Sequence, residues 1–210
     1  MIERNRVEMG GVYLQISRGQ APDRDFAYPA EGVAPTVVLF TQEKTGVADQ
    51  AARDSGLKVI TIEDQRWGRC DIKTVQLLYP SMAKMMAQAS GAQDAWLTRG
   101  GAVTEGTANN AYIVKNGVII TRNLGNDILP GVTRRAVLRM AEEHGLAVEE
   151  RAFTVEEAYA ADEAFATASV LLVKPVVEID GNKIGQGSPG PVTCALRATC
   201  IDEALRATIG

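Results

Sequence analysis

The sequence predicts a mixed α/β domain of the α+β kind, on three observations: β-rich runs through its first third, two turn dipeptides placed to close hairpins, and stretches with the three-and-four spacing of amphipathic helices. Val12 to Ser17 alternates and is β-rich, while Thr36 to Phe40 and Lys58 to Ile62 are short apolar runs, so each is read as a strand. From Thr74 to Ser90 the pattern changes. Leu77, Leu78, Met82, Met85, Met86 and Ala89 recur at intervals of three and four, which predicts a helix ended by Gly91 with those side chains in the core. Tyr112 to Val114 and Val118 to Ile120 flank Lys115-Asn116-Gly117, and Asn-Gly between apolar runs predicts a hairpin because both residues tolerate the left-handed backbone that such a turn needs. Pro175 to Ile184 repeats the device with Asp180-Gly181. Thr133 to His144 is read as an amphipathic helix with Val137, Leu138 and Met140 on its apolar side, and about Val192 to Ala207 as a last helix. No internal repeat and no low-complexity linker interrupts this order.

Composition narrows the function classes. The chain has 210 residues, 46% hydrophobic and 23% charged, enough to bury a core. A net charge of -4 with no basic cluster argues against a nucleic-acid partner. Cys70, Cys194 and Cys200 are odd in number and lack paired spacing, so neither a disulfide framework nor a metal site is expected, and a cytoplasmic location fits. The opening residues, Met1 to Arg6, are charged rather than apolar, and no stretch is long enough to cross a bilayer, so no membrane partner is expected. The single histidine, His144, precedes Gly145 at a helix end, where a surface position is expected. Mechanisms built on a histidine base or on several imidazole ligands therefore have little material.

Two segments carry candidate chemistry. Lys73 sits where a strand-like stretch gives way to the methionine-rich helix; by local context it is a solvated surface lysine, although the same position suits a partly desolvated amine nucleophile. Glu105 opens a run of small and amide residues, and Ile128 to Arg134 puts Gly131 and Thr133 at a helix start, where free backbone N–H groups and the helix dipole favour an anion.

Counting along the chain, Glu105, Thr107, Asn110, Ala111, Tyr112, then Ile119 and Thr121, then Leu129, Gly131, Val132 and Arg134 match the signature of the class IV pyridoxal-phosphate aminotransferases. Tyr13 to Gly19, Glu63 to Lys73 and Pro175 to Gly181 resemble its D-amino-acid transaminase branch, and the similarity runs essentially end to end. The resemblance implies a fold of the D-amino-acid aminotransferase type, fold type IV. Residues 46–210 would form the large C-terminal pseudo-barrel domain with flanking helices, and residues 1–45 a remnant of the small N-terminal domain with its connection. It further implies pyridoxal 5'-phosphate as cofactor, no metal, and transamination between a D-amino acid such as D-alanine and a 2-oxo acid such as 2-oxoglutarate.

Carried onto these residues, Lys73 would hold the cofactor as a Schiff base and shuttle the α-proton, and Glu105 would pair with the pyridine nitrogen. Backbone N–H groups of Val132 and Thr133, with the hydroxyls of Thr133 and Ser169, would hold the phosphate. Leu129 would pack on one ring face, and Thr107 to Asn109 would line the other side. Arg24 would grip the substrate carboxylate, a planar group that suits a guanidinium fork, whereas local context alone reads it as a surface loop arginine. Phe26 departs from relatives that carry a histidine there. The resemblance also implies a homodimer and a small N-terminal domain that this chain lacks, so exposed apolar surface, weak cofactor binding and poor turnover are expected. Branched-chain L-amino-acid transaminase, aminodeoxychorismate lyase, and an inactive cofactor-binding fragment are the competing readings.

Overall fold

The computed structural model describes residues 1–44 and 55–208. The chain divides into two compact units, Met1–Val47 and Ala48–Gly210; the expected boundary between residues 45 and 46 lies outside the described residues. In the first unit a short helix, α1 (Ile2–Asn5), precedes an antiparallel ladder of β1 (Gly10–Ser17) and β2 (Thr36–Glu43), paired from Gly10↔Glu43 to Ser17↔Thr36. These are two of the strands read from the sequence. Tyr13 and Phe40 lie opposite one another and stack at 4.7 Å between ring centroids. A two-stranded ribbon cannot cover its own faces, and Val12, Leu14, Ile16, Val37, Val38 and Leu39 are all exposed on it.

The second unit is built on one curled sheet. Its strands are β3 (Leu57–Glu63), β4 (Asp94–Arg99), β5 (Ala102–Gly106), β6 (Asn110–Lys115), β7 (Val118–Thr121), β8 (Val148–Glu150), β9 (Glu163–Ala168), β10 (Leu172–Ile179) and β11 (Asn182–Lys183). They lie in the order β5-β4-β3-β10-β9-β6-β7-β8, with β11 on β10. β3 runs parallel to β4 and to β10, β7 parallel to β8, and the other joins are antiparallel. The two edges approach each other: just past β8, Phe153 accepts the Val103 N–H at 2.9 Å and Thr154 bridges Ala102. The result is a half-barrel filled by Val59, Trp96, Val103, Ile113, Phe153 and Ile179.

Helices cover its outside. α3 (Val132–Glu143) and α5 (Pro191–Thr208) pack through Val137, Met140 and Leu196 onto Tyr112, Ile119, Phe165 and Val173. The short α4 (Val155–Tyr159) starts with a reciprocal cap between Thr154 and Glu157. Both turn dipeptides are confirmed: Asn116 and Gly117 have φ of 49° and 78°, Asp180 and Gly181 have 51° and 80°, the paired left-handed residues of a type I′ turn. His144 is the exposed C-cap of α3, as expected.

The helix read over Thr74 to Ser90 is α2 (Leu78–Ala89), but its orientation is the reverse of that expected. Leu77, Leu78, Met82, Met85 and Met86 are all more than half exposed, and Ala89 is exposed as well. The buried face is Ala83 and Ala87, both at 0%, lying on Ala95 and Leu97 with Tyr79 at the margin. Alanine lets the helix axis come close to a sheet face that already carries leucine, so the small residues go inward and the long ones are left outside.

Candidate active site

Glu105, the next-to-last residue of β5, is only 4% exposed, and its carboxylate is the centre of a buried polar cluster. Oε2 accepts from the Asn110 side-chain amide at 3.0 Å and from the Leu129 N–H at 3.1 Å; Oε1 accepts from Arg66 Nη1 at 2.6 Å. Asn110 is the first residue of β6, and its amide also donates to the Leu129 carbonyl at 2.9 Å. It therefore ties β5, β6 and the 129–131 turn together. A Cβ on Gly131 would lie 2.3 Å from Asn110 Oδ1, so only glycine leaves that amide where it is.

Arg66 is itself clamped. Its Nε and Nη2 donate to the two oxygens of Asp64 at 2.9 and 2.8 Å, and Nη2 also reaches the Asp127 carbonyl at 3.2 Å. Thr104 donates to Asp64 Oδ2 at 3.0 Å, and Arg99 and Arg122 grip Asp127 from the outer side. Burial pushes the Glu105 carboxyl up from its ordinary value, against the pull of the Arg66 guanidinium. Burial works in the same direction on Asp64, but there the hydrogen bonds and charge of Arg66 outweigh it and hold the carboxyl down.

Lys73 lies in the loop after β3, three residues beyond Cys70. That loop is tied to the segment leading into Leu129: the Cys70 N–H donates to the Asn126 carbonyl at 2.8 Å, one residue before the Asp127 carbonyl that Arg66 holds. The lysine side chain is exposed and has no hydrogen bond or ion pair among the described residues. Gly131 caps α3 without any side-chain bond, and the first intrahelical donor to it is Arg135 at 3.1 Å, so the N–H groups of Val132 and Thr133 have no intrahelical acceptor. Ser169, exposed, follows β9; because Asn110 pairs with Thr167, Ser169 lies at the sheet end where β6 begins.

The structure thus gathers Glu105, Leu129, Val132 and Thr133 around Asn110 and Gly131, with Ser169 and the Lys73 loop at the same end. Thr107 is turned differently. Its hydroxyl donates to Asp94 at 2.5 Å, as does the Asn109 amide at 2.6 Å, and Lys84 pairs with the same carboxylate at 3.3 Å. Arg24 belongs to the first unit, where it is exposed with its guanidinium 5.3 Å from the Phe26 ring centroid. A hollow of about 880 Å3 beside α3, walled by Leu124, Arg135, Leu138 and Leu146, meets this group at Gly131 and Val132. Sequence reasoning gave no role to Asp64 or Arg66, although both lie in the Glu63 to Lys73 stretch that resembles the family, because charged residues next to a strand carry no local mark of burial.

Fold and side chains together define a curled α/β half-barrel that collects a buried carboxylate, a loop lysine and an uncapped helix start at one end of its sheet. The chain belongs to the amino-transferase class IV family, whose sequence model matches residues 1–179. It is 44% identical over 193 residues to a D-alanine aminotransferase of Bacillus licheniformis, covering 92% of this chain and 67% of that protein. It is 37% identical over 197 residues to the D-alanine aminotransferase of Staphylococcus aureus strain N315, covering 94% of this chain and 69% of the relative. The chain therefore spans about two thirds of the length of these relatives. Among solved structures, a T.th. branched-chain amino acid aminotransferase with pyridoxamine 5'-phosphate superposes with a TM-score of 0.84 at 29% identity, over 96% of this chain and 67% of that one. A Legionella pneumophila protein described as a putative 4-amino-4-deoxychorismate lyase shares the fold, with a TM-score of 0.82 at 24% identity over 96% and 72% of the two chains.

Pyridoxal phosphate is the cofactor of this family, and the residues present fit it at two points. A carboxylate offers about four acceptor sites, of which Glu105 uses three, one on Oε1 and two on Oε2; the remaining one, on Oε1, suits a pyridinium N–H. The free N–H groups at the start of α3 suit a phosphate.

Proposed function

We propose that this chain is the cofactor-binding portion of a transaminase that exchanges amino and oxo groups between a D-amino acid, such as D-alanine, and a 2-oxo acid, such as 2-oxoglutarate. The observation that carries this reading is the buried Glu105 carboxylate, held by three donors with one acceptor site left, beside an uncapped helix start. Bound pyridoxal phosphate supplies the electron sink for the α-carbon carbanion. Lys73 holds the cofactor through its amine and, once free, carries the proton from the substrate α-carbon. Glu105 keeps the pyridine nitrogen protonated, and Val132, Thr133 and Ser169 bind the phosphate. Leu129 packs against one ring face, Thr107 belongs to the opposite wall, and Arg24 takes the substrate carboxylate.

The D-amino-acid branch is favoured by the 44% identity to a D-alanine aminotransferase. A branched-chain L-amino-acid transaminase is the second reading, favoured by the TM-score of 0.84 to the T.th. enzyme. We further take the chain to work in the cytoplasm as a homodimer, since its cysteines are unpaired and the outer stripe of α2 is a large apolar surface.

The test is borohydride reduction after incubation with pyridoxal phosphate, with the adduct mapped by mass, followed by amine transfer from D- and L-alanine to 2-oxoglutarate. An adduct at Lys73 and use of D-alanine, weakened strongly by Arg24→Ala, are expected. Preference for L-amino acids would favour the second reading. Absence of any Lys73 adduct would leave an inactive fragment.

A further inference from the structure

We propose that Arg66 is a positioning residue for Glu105: clamped from behind by Asp64, it fixes the carboxylate so that its one unused acceptor site faces the ligand's ring nitrogen. The inference rests on the proposed role of Glu105 and gives a role to a residue that the sequence comparison left without one.

The geometry is a relay of two forks. The planar guanidinium spends one edge, Nε and Nη2, on both oxygens of Asp64, which fixes its plane and direction; Asp64 has 0% side-chain exposure and is anchored in turn by Thr104. The remaining nitrogen, Nη1, then has one orientation available, and it meets Glu105 Oε1 at 2.6 Å. Asn110 and the Leu129 N–H together fill Oε2. Asn110 and the Leu129 N–H thus leave Oε1 as the open oxygen, and Arg66, by taking one of its two acceptor sites, sets the direction of the one that stays free. Lysine cannot substitute, because a point ammonium has no second edge with which to hold Asp64.

Charge makes the arrangement necessary. Glu105 is buried, and burial alone favours its neutral form, which would be useless as an acceptor for a cationic ring N–H. Arg66, whose side chain is 12% exposed, is the cation in contact with it. Asp64 adds a second negative charge, so that this arginine and the two carboxylates carry the formal charge of one anion, with the half-buried Arg99, 3.6 Å from Asp64, left to offset part of it.

The test reads Glu105 directly in the full chain without cofactor, by carboxyl NMR of carbon-13-labelled glutamate with Glu105→Gln to assign the signal. In Arg66→Gln the Glu105 titration is expected to move up by at least about one pH unit, a tenfold change in proton affinity. In Arg66→Lys, which keeps the charge but loses the double fork, the upward move is expected to be roughly a third to two thirds of that. A Glu105 titration within about 0.3 unit of wild type in Arg66→Gln would overturn the proposal. Should Arg66→Gln fail to fold, Arg66→Lys decides alone: an unchanged titration overturns, an upward one supports. Because no ligand is present, absence of a Lys73 adduct in the reduction experiment leaves this measurement intact, and the two ideas fail separately.

Discussion

Gly131→Ala isolates the polar hub of the site. Gly131 has φ of -61° and ψ of 137°, a conformation alanine adopts freely, so any cost comes from the Cβ and its neighbour rather than from the backbone. That Cβ would lie 2.3 Å from Asn110 Oδ1, whereas its next contact, Arg134 Cβ at 3.5 Å, is ordinary. Asn110 must therefore swing away and give up its bonds to Glu105 and to the Leu129 carbonyl. A bond to a carboxylate contributes roughly 1.5–3 kcal/mol and a neutral one roughly 0.5–1.5. Alanine returns about 0.4–1 kcal/mol by restricting the unfolded chain, leaving a net loss of about 1.5–3.5. For a unit of this size the melting temperature should fall by about 4–12 °C. The assay is thermal unfolding of wild type, Gly131→Ala, Asn110→Ala and the double variant. With Asn110 already truncated the added methyl meets open space, so the second substitution should be neutral or slightly stabilising, giving a coupling of about 1.5–4.5 kcal/mol. If Gly131→Ala costs the same about 2 kcal/mol in both backgrounds, Asn110 is not what glycine protects.

The remaining expectations concern pH and the outer face of α2. Burial raises Glu105 above its ordinary 4.5, so the folded chain binds more protons than the unfolded one between the two values, and this contribution falls as pH rises through that window. Asp64, held below 3.8, acts in the opposite sense: its contribution is present above 3.8 and is lost as pH falls through its folded value. Glu105→Gln removes only the first effect, so the melting temperature of that variant relative to wild type should climb from about pH 4.5 upward; a difference that stays constant with pH would contradict the assignment. On α2, replacing Met82, Met85 and Met86 together by Gln should change unfolding free energy by no more than about 0.5 kcal/mol each while lowering self-association in light scattering. Ala83→Met, at a fully buried site, should cost about 1–3 kcal/mol; equal costs at the two faces would restore the inward methionines that the sequence suggests.

What could be read from the sequence follows from how local each signal is. Asn116-Gly117 and Asp180-Gly181 announce their turns because the turn chemistry lies within the dipeptide itself. β4 and β9 carry no such mark: each is buried on both sides along most of its length, so the two-residue alternation that reveals a half-buried strand never develops. The methionine stripe of α2 shows where the sequence stops. Its period is real and the helix is real, but periodicity reports that a face is apolar, not what covers it, and here the sheet takes the alanines instead. Arg66 is the complementary case. In the run Glu63-Asp64-Gln65-Arg66 nothing distinguishes it from a solvated cation, because its partner Glu105 is 39 residues away and is brought to it only when β4 and β5 fold back beside β3. Lys73 shows the converse, since its surroundings remain those of a surface lysine and only the family resemblance singles it out. The cost of burying Glu105 is set by a contact across that distance, and such contacts are created by the fold rather than by any stretch of chain.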